Sequence, residues 1–155
     1  MYHPVNRREL MDIVDSMVNN GYTDFNNIDV SRITDFDDIF SKDTSYWLND
    51  TGHYETRKRN PGSLQALPKI DVSSWNTSNG KTFRNMFKGY KGEIIGVEHF
   101  DVSSAEVLCG MFEDCINFNT DISHWDISNC HITASMFANC INFNHPFEVI
   151  KLKEN

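Results

Sequence analysis

Ile122-Ser-His-Trp125-Asp-Ile127-Ser-Asn-Cys-His-Ile-Thr133-Ala-Ser-Met136-Phe137-Ala-Asn-Cys140 is the stretch whose spacing decides the fold. Its core-forming positions fall into two sets, i, i+3, i+5 (Ile122, Trp125, Ile127) and then i, i+3, i+4, i+7 (Thr133, Met136, Phe137, Cys140). Both sets recur 25 residues earlier, as Val97, Phe100, Val102 and Leu108, Met111, Phe112, Cys115. They recur 25 residues earlier again, as Val72, Trp75, Thr77 and Phe83, Met86, Phe87, Tyr90. A step of 47 further back reaches Phe25, Ile28, Val30 and Phe36, Ile39, Phe40, and a step of 25 forward reaches Phe147, Ile150 and Leu152. Since 47 exceeds 25 by 22, about 22 extra residues lie within 41–66.

Self-similarity at a fixed step is the signature of stacked units. An i+3, i+5 pair places alternate side chains on one face of a short strand. The i, i+3, i+4, i+7 set marks one face of a helix of about two turns, too short to hold without packing. The expected fold is therefore α/β: a short leucine-rich-repeat-like solenoid of about five coils, parallel strands plus short helices, with an N-terminal capping helix. Its single domain divides into a cap helix (1–22), a first coil (24–40), an insertion (41–66), regular 25-residue repeats (67–140) and a C-terminal capping strand (141–155). Between strand and helix lies Asp/Asn-x-Ser, as Asp29-Val-Ser31, Asn76-Thr-Ser78, Asp101-Val-Ser103 and Asp126-Ile-Ser128. An oxygen two residues before Ser can bond the local backbone and close a turn, which accounts for these carboxylates without a metal or acid–base role.

The ends read as caps. Asn6-Arg-Arg-Glu9 is an N-cap with a capping-box glutamate. Leu10, Ile13, Val14 and Met17 follow as a helical stripe that stops near Gly21, a C′ glycine. At the other end Lys151 and Lys153 fall on the terminal strand, where lysines discourage edge-to-edge aggregation or guide a chosen partner.

The segments Ile28-Asp-Val-Ser-Arg-Ile-Thr-Asp-Phe36 and Phe118-Asn-Thr-Asp-Ile-Ser-His-Trp-Asp-Ile-Ser-Asn129, each followed by Ile-Phe or Met-Phe, carry a resemblance. They resemble the BspA-like bacterial surface-protein repeat, a 26-residue repeat of unknown function, over about 24–40 and 67–140. Ile122-x-x-Trp125-x-Ile127-x-x-Cys130 also resembles the leucine-rich repeat. The resemblance implies an α/β solenoid with parallel strands along one face. Many members of that family are exported surface chains. The absence of a signal segment here, with so few repeats, points instead to an intracellular bacterial or phage protein.

The 155 residues carry a formal net charge of −8, which disfavours nonspecific attraction to nucleic acid or anionic membrane. No stretch approaches the roughly 18 apolar residues of a membrane helix, and MYHPVNRREL has no apolar signal core, so the expected compartment is the cytosol. The four cysteines (Cys109, Cys115, Cys130, Cys140) lack zinc spacing and are expected as reduced packing groups. No cofactor, metal or catalytic constellation is expected.

Two features stand out as candidate partner-binding sites. The insertion carries Tyr46, Trp47 and Tyr54 with the run Arg57-Lys58-Arg59. Aromatics beside arginine suit an interaction hot spot. Lying outside the 25-residue register, the insertion is also expected to be removable without unfolding the chain. The second feature is a basic strip, Lys81, Arg84 and Lys88, on one predicted helix. The expected function is a non-enzymatic protein-binding module, in its sharper form a phage or mobile-element inhibitor of a host protein such as a defence factor. The alternative is an acidic nucleic-acid mimic using Asp35, Asp37, Asp38, Glu113 and Asp114, and an enzyme of unknown type comes third. The expected partner is a protein, with no direct nucleic-acid or membrane binding expected, and the terminal strand is expected to offer an edge for homodimerisation.

Overall fold

The computed structural model describes residues 1–42, 46–49 and 51–145. The elements are α1 (Arg7–Asn19), β1 (Tyr46–Leu48), β2 (Tyr54–Thr56), β3 (Lys69–Asp71), β4 (Glu93–Ile95) and a 3-10 turn at Val97–His99. β1 and β2 form an antiparallel hairpin with Trp47 opposite Glu55, and β3 and β4 pair in parallel with Ile70 opposite Ile94. Among the described residues no helix is long and apolar enough to cross a membrane.

This is a small α/β domain built mostly of turns and irregular backbone, and it corrects the expected fold. The leucine-rich-repeat-like solenoid of parallel strands and short helices does not form among the described residues. The segments expected as strands are turns: Ile28, Trp75, Phe100 and Trp125 each donate their N–H to the carbonyl three residues back. Asp29, Asn76, Asp101 and Asp126 each accept from the serine N–H two residues on, at 3.0–3.1 Å, and close the next turn. The segments expected as helices are also turns. Met86, Lys88 and Tyr90 bond to carbonyls three residues back, while Phe83, Asn85, Phe87 and Gly89 donate instead to Val107, Cys109, Met111 and Glu113.

The physical reason is backbone handedness. Asp38, Asn85, Asp114, Ser135 and Asn139 have φ of 55 to 62°, with Gly89 at 79° and Gly110 at 65°. Left-handed residues recurring in the segments expected as helices cannot belong to a right-handed helix. Successive turns still bury positions i, i+3 and i+4, so the apolar spacing imitates a helix. The terminal strand expected at 147–152, with Lys151 and Lys153, lies outside the described residues.

One continuous core runs from Leu10 to Cys140. Down its length Phe40, Phe87, Phe112 and Phe137 stack face to face, at centroid separations of 5.5, 5.7 and 6.0 Å. Trp75 and Trp125 are buried beside this column, and each indole N–H is satisfied by a carbonyl, of Phe25 and Val97 respectively. The first row of turns, 35–42, donates from Phe36, Asp38, Phe40 and Lys42 to the carbonyls of Thr82, Arg84, Met86 and Lys88. The carbonyls on the outer side of that row are left for α1 and the hairpin.

α1 forms where its sequence dictates. Asn6 accepts from Glu9 N–H at 2.9 Å, and Glu9 accepts from Val5 N–H at 2.8 Å. At the far end Tyr22 N–H reaches Met17 O and Gly21 N–H reaches Val18 O, with Gly21 at φ 77°, a Schellman stop. Leu10, Met11, Val14, Met17 and Val18 seal the end of the core.

Candidate interaction surface

The β1–β2 hairpin has two unlike faces, because successive strand residues point to opposite sides. On the inner face Trp47 is buried, with the guanidinium of Arg7 5.0 Å from its ring centroid. Arg7 also donates to the carbonyls of Leu48 and Asp37, each at 2.9 Å. Glu55, opposite Trp47, accepts from Arg8 and, at 3.0 Å, from Asn49.

Just past the hairpin, Arg57 is fully buried and makes a two-pronged pair with Asp15 of α1, at 2.6 and 3.0 Å. Arg59 adds a third bond to Asp15 at 3.1 Å. These guanidiniums have a second task. Arg57 caps the carbonyls of Asp38 and Ile39, and Arg59 caps Ile39 and Ser41. Together with Arg7, which donates to Asp37 O, they cap carbonyls along the outer side of the first row, while Asp15 offsets charge on Arg57 and Arg59 and Asp38 offsets charge on Arg7. Burial, with Arg57 alongside, pushes the Arg59 guanidinium down to about 10, so it stays charged at neutral pH. The insertion is thus a clamp on α1 rather than a removable loop.

The outer face is different. Tyr46, Leu48 and Tyr54 are 62%, 48% and 76% exposed, and Leu48 sits directly across from Tyr54. Three large side chains therefore share one solvent-facing surface on a ribbon whose reverse side is pinned. Leu48 was not among the residues singled out from sequence. The usable signal was Tyr-Trp-Leu followed, across a turn with Gly52, by Tyr-Glu-Thr, an alternating pattern with a glycine between its arms.

The remaining candidates lie elsewhere. Lys58 is exposed and reaches Asp12 at 3.0 Å. Lys81 pairs with Glu106 at 3.5 Å, Lys88 with Glu113 at 3.0 Å, and Arg84 lies 3.0 Å from the Cys109 sulfur. The basic strip thus lies along one row of turns and is largely engaged with the next row of the same chain. The acidic candidates are engaged too. Asp35 and Asp38 face Arg7, Asp37 accepts from Thr82 and the Arg84 N–H, and Asp114 accepts from Asn139. Burial holds Asp37 and Asp38 above the usual carboxylate range despite Arg7. Cys115 and Cys140 are buried and donate to the carbonyls of Phe87 and Phe112. Among the described residues no group of histidine, cysteine or carboxylate side chains is arranged to hold a metal.

The family model described as "Mycoplasma protein of unknown function, DUF285" matches residues 9–91 and 62–154. No curated protein and no solved structure matches the chain. The match replaces the resemblance to the BspA-like repeat, which is a different family. The phage and inhibitor readings drawn from that resemblance have no support in the matched family or the fold.

Proposed function

The chain belongs to the DUF285 family, and since that description assigns no activity we propose from its geometry that it is a protein-binding module, acting without catalysis through the outer face of the hairpin. The observation that carries this reading is the pairing of exposure with rigidity. Tyr46, Leu48 and Tyr54 are open to solvent, while Trp47, Arg57 and Arg59 fix the ribbon beneath them. A surface held in place before binding loses less conformational freedom on association. Tyrosines, apolar in body and polar at the tip, are enriched among residues that dominate protein–protein binding. The net charge of −8 argues for a protein rather than a phosphate backbone as the partner. The carboxylates that an acidic mimic would present are spent on Arg7, Thr82, Lys88 and Asn139 within the chain.

The test compares the wild-type chain with Tyr46→Ser/Tyr54→Ser, both immobilised and exposed to lysate of the source organism, with retained proteins quantified by mass spectrometry. Both sites are exposed, so stability should stay within about 0.5 kcal/mol. At least one protein held by the wild type should fall about tenfold or more on the variant, a loss of about 1.4 kcal/mol. Identical retained sets would overturn the reading.

A further inference from the structure

Among the described residues the two edges of the hairpin differ: an outward carbonyl of β1 is capped by Arg7, and the outward groups of β2 meet no partner. Asn49 N–H bonds to His53 O, so Asn49 and His53 form a hydrogen-bonded pair. In an antiparallel ladder such pairs alternate with non-bonded ones. Trp47–Glu55 is then the next bonded pair, while Leu48–Tyr54 and Tyr46–Thr56 turn their backbone groups outward. On β1 the outward Leu48 carbonyl is taken by Arg7 at 2.9 Å. On β2 the outward groups are the N–H and C=O of Tyr54 and of Thr56, and both residues are exposed.

We infer that the free edge of β2 pairs antiparallel with β2 of a second copy of this chain, about a two-fold axis through Glu55, making a four-stranded sheet. The inference rests on reading the hairpin as a docking surface and names an occupant for its edge. Three observations select a second copy. The edge is self-complementary: about that axis Tyr54 N–H and C=O meet Thr56 C=O and N–H of the second copy, and the reverse, so every outward group gains a partner. An isologous contact closes after one pairing and does not propagate. The like charges brought together at Glu55 are compensated in advance, since each carboxylate is held by Arg8 and Asn49. Finally, pairing joins the exposed Tyr46, Leu48 and Tyr54 of both copies into one continuous apolar face. A two-stranded ribbon is marginal alone, and further strands with an apolar face stabilise it.

The experiment is sedimentation equilibrium of the purified chain over a concentration series, with amide NMR spectra recorded across the same series. The weight-average mass should rise from one chain toward two, with the Tyr54 and Thr56 amide resonances moving alongside it. Thr56→Pro removes one edge donor at a position that the β1–β2 ladder does not use, and should weaken self-association about tenfold or more. A wild-type chain that remains single up to about 1 mM overturns the inference, as do concentration-dependent shifts confined to other residues. If the chain stays single while Tyr46→Ser/Tyr54→Ser still loses a lysate protein, the second copy is the wrong occupant and the docking surface stands. If both experiments fail, the surface reading fails with them.

Discussion

Replacing Arg57 with alanine removes two hydrogen bonds to Asp15, at 2.6 and 3.0 Å, and two more to the carbonyls of Asp38 and Ile39. Both side chains of the pair are 1% exposed, so water does not take over these bonds. Breaking a buried ion pair by removing one partner costs about 3–5 kcal/mol. Arg59 stays on the same carboxylate at 3.1 Å and moderates the loss, which places it near the lower end, about 3 kcal/mol. For a domain whose whole stability is about 5–15 kcal/mol that is a large fraction. At about 2–4 °C per kcal/mol for a chain of this size, the melting temperature should fall by about 6–12 °C. The neighbouring Lys58, 70% exposed beside Asp12, should cost under about 1 kcal/mol as Lys58→Ala. Urea denaturation followed by tryptophan fluorescence and circular dichroism measures both. Asp15→Ala combined with Arg57→Ala should destabilise by less than the sum of the single changes, with a coupling above about 1 kcal/mol. Equal losses for Arg57→Ala and Lys58→Ala, or strict additivity in the cycle, would refute the clamp.

Gly96 has φ 101°, and a Cβ there would lie 2.2 Å from the Ser73 Cα, whereas Gly62 at φ 79° has nothing within 4 Å of that position. Calorimetry should therefore show Gly96→Ala well below Gly62→Ala, whose loss is only the left-handed cost of about 1–2 kcal/mol. Asp71 is held below the ordinary carboxylate range by Asn26 and then Ser73, and Asp101 by Ser103. Depressed carboxylates stabilise the fold above the unfolded-state value near 3.9 and lose that contribution as pH falls through the folded value. Asp71→Asn with Asp101→Asn should accordingly flatten the loss of stability on acidification below about pH 4, measured by denaturation at a series of pH values. Burial raises all four thiols, Cys140 to about 11, but Cys109 is the half-buried one and has Arg84 3.0 Å from its sulfur, so a disulfide-exchange reagent on the native protein should label Cys109 before any other cysteine. Equal labelling of Cys115 would contradict its packing role.

The fold is legible in the sequence where local chemistry determines the outcome. Asn6, Glu9 and Gly21 marked both ends of α1, and Asp29, Asn76, Asp101 and Asp126 marked the turns they close. It is not legible where burial spacing alone would choose the element. Phe83, Met86, Phe87 and Tyr90 are buried at helical spacing, yet the backbone between them bends through a left-handed residue at Asn85. The sign was present in the column Asp38, Asn85, Gly110, Ser135 and in Gly89, Asp114, Asn139, since asparagine, aspartate and glycine are the residues that adopt that conformation readily. The spacing of Val72 to Trp75 likewise fits a turn as well as a strand. At the candidate surface, composition could not separate a buried arginine from a solvated one. Arg57 and Lys58 are adjacent in sequence, and only their tertiary neighbours make one a clamp and the other a surface charge. Nor could it separate Trp47 from Tyr46, which face opposite sides of one ribbon.

The most direct test of the account places a photo-crosslinking residue at position 54, on the outer face, and in a separate protein at position 47, on the pinned face. Each is irradiated in lysate of the source organism. The account predicts that position 54 captures a defined protein partner, that Tyr46→Ser in the same chain reduces the capture, and that position 47 yields only crosslinks within the chain. Capture of the same partner from both positions, or no dependence on Tyr46, would contradict the claim that the exposed hairpin face is where this protein binds.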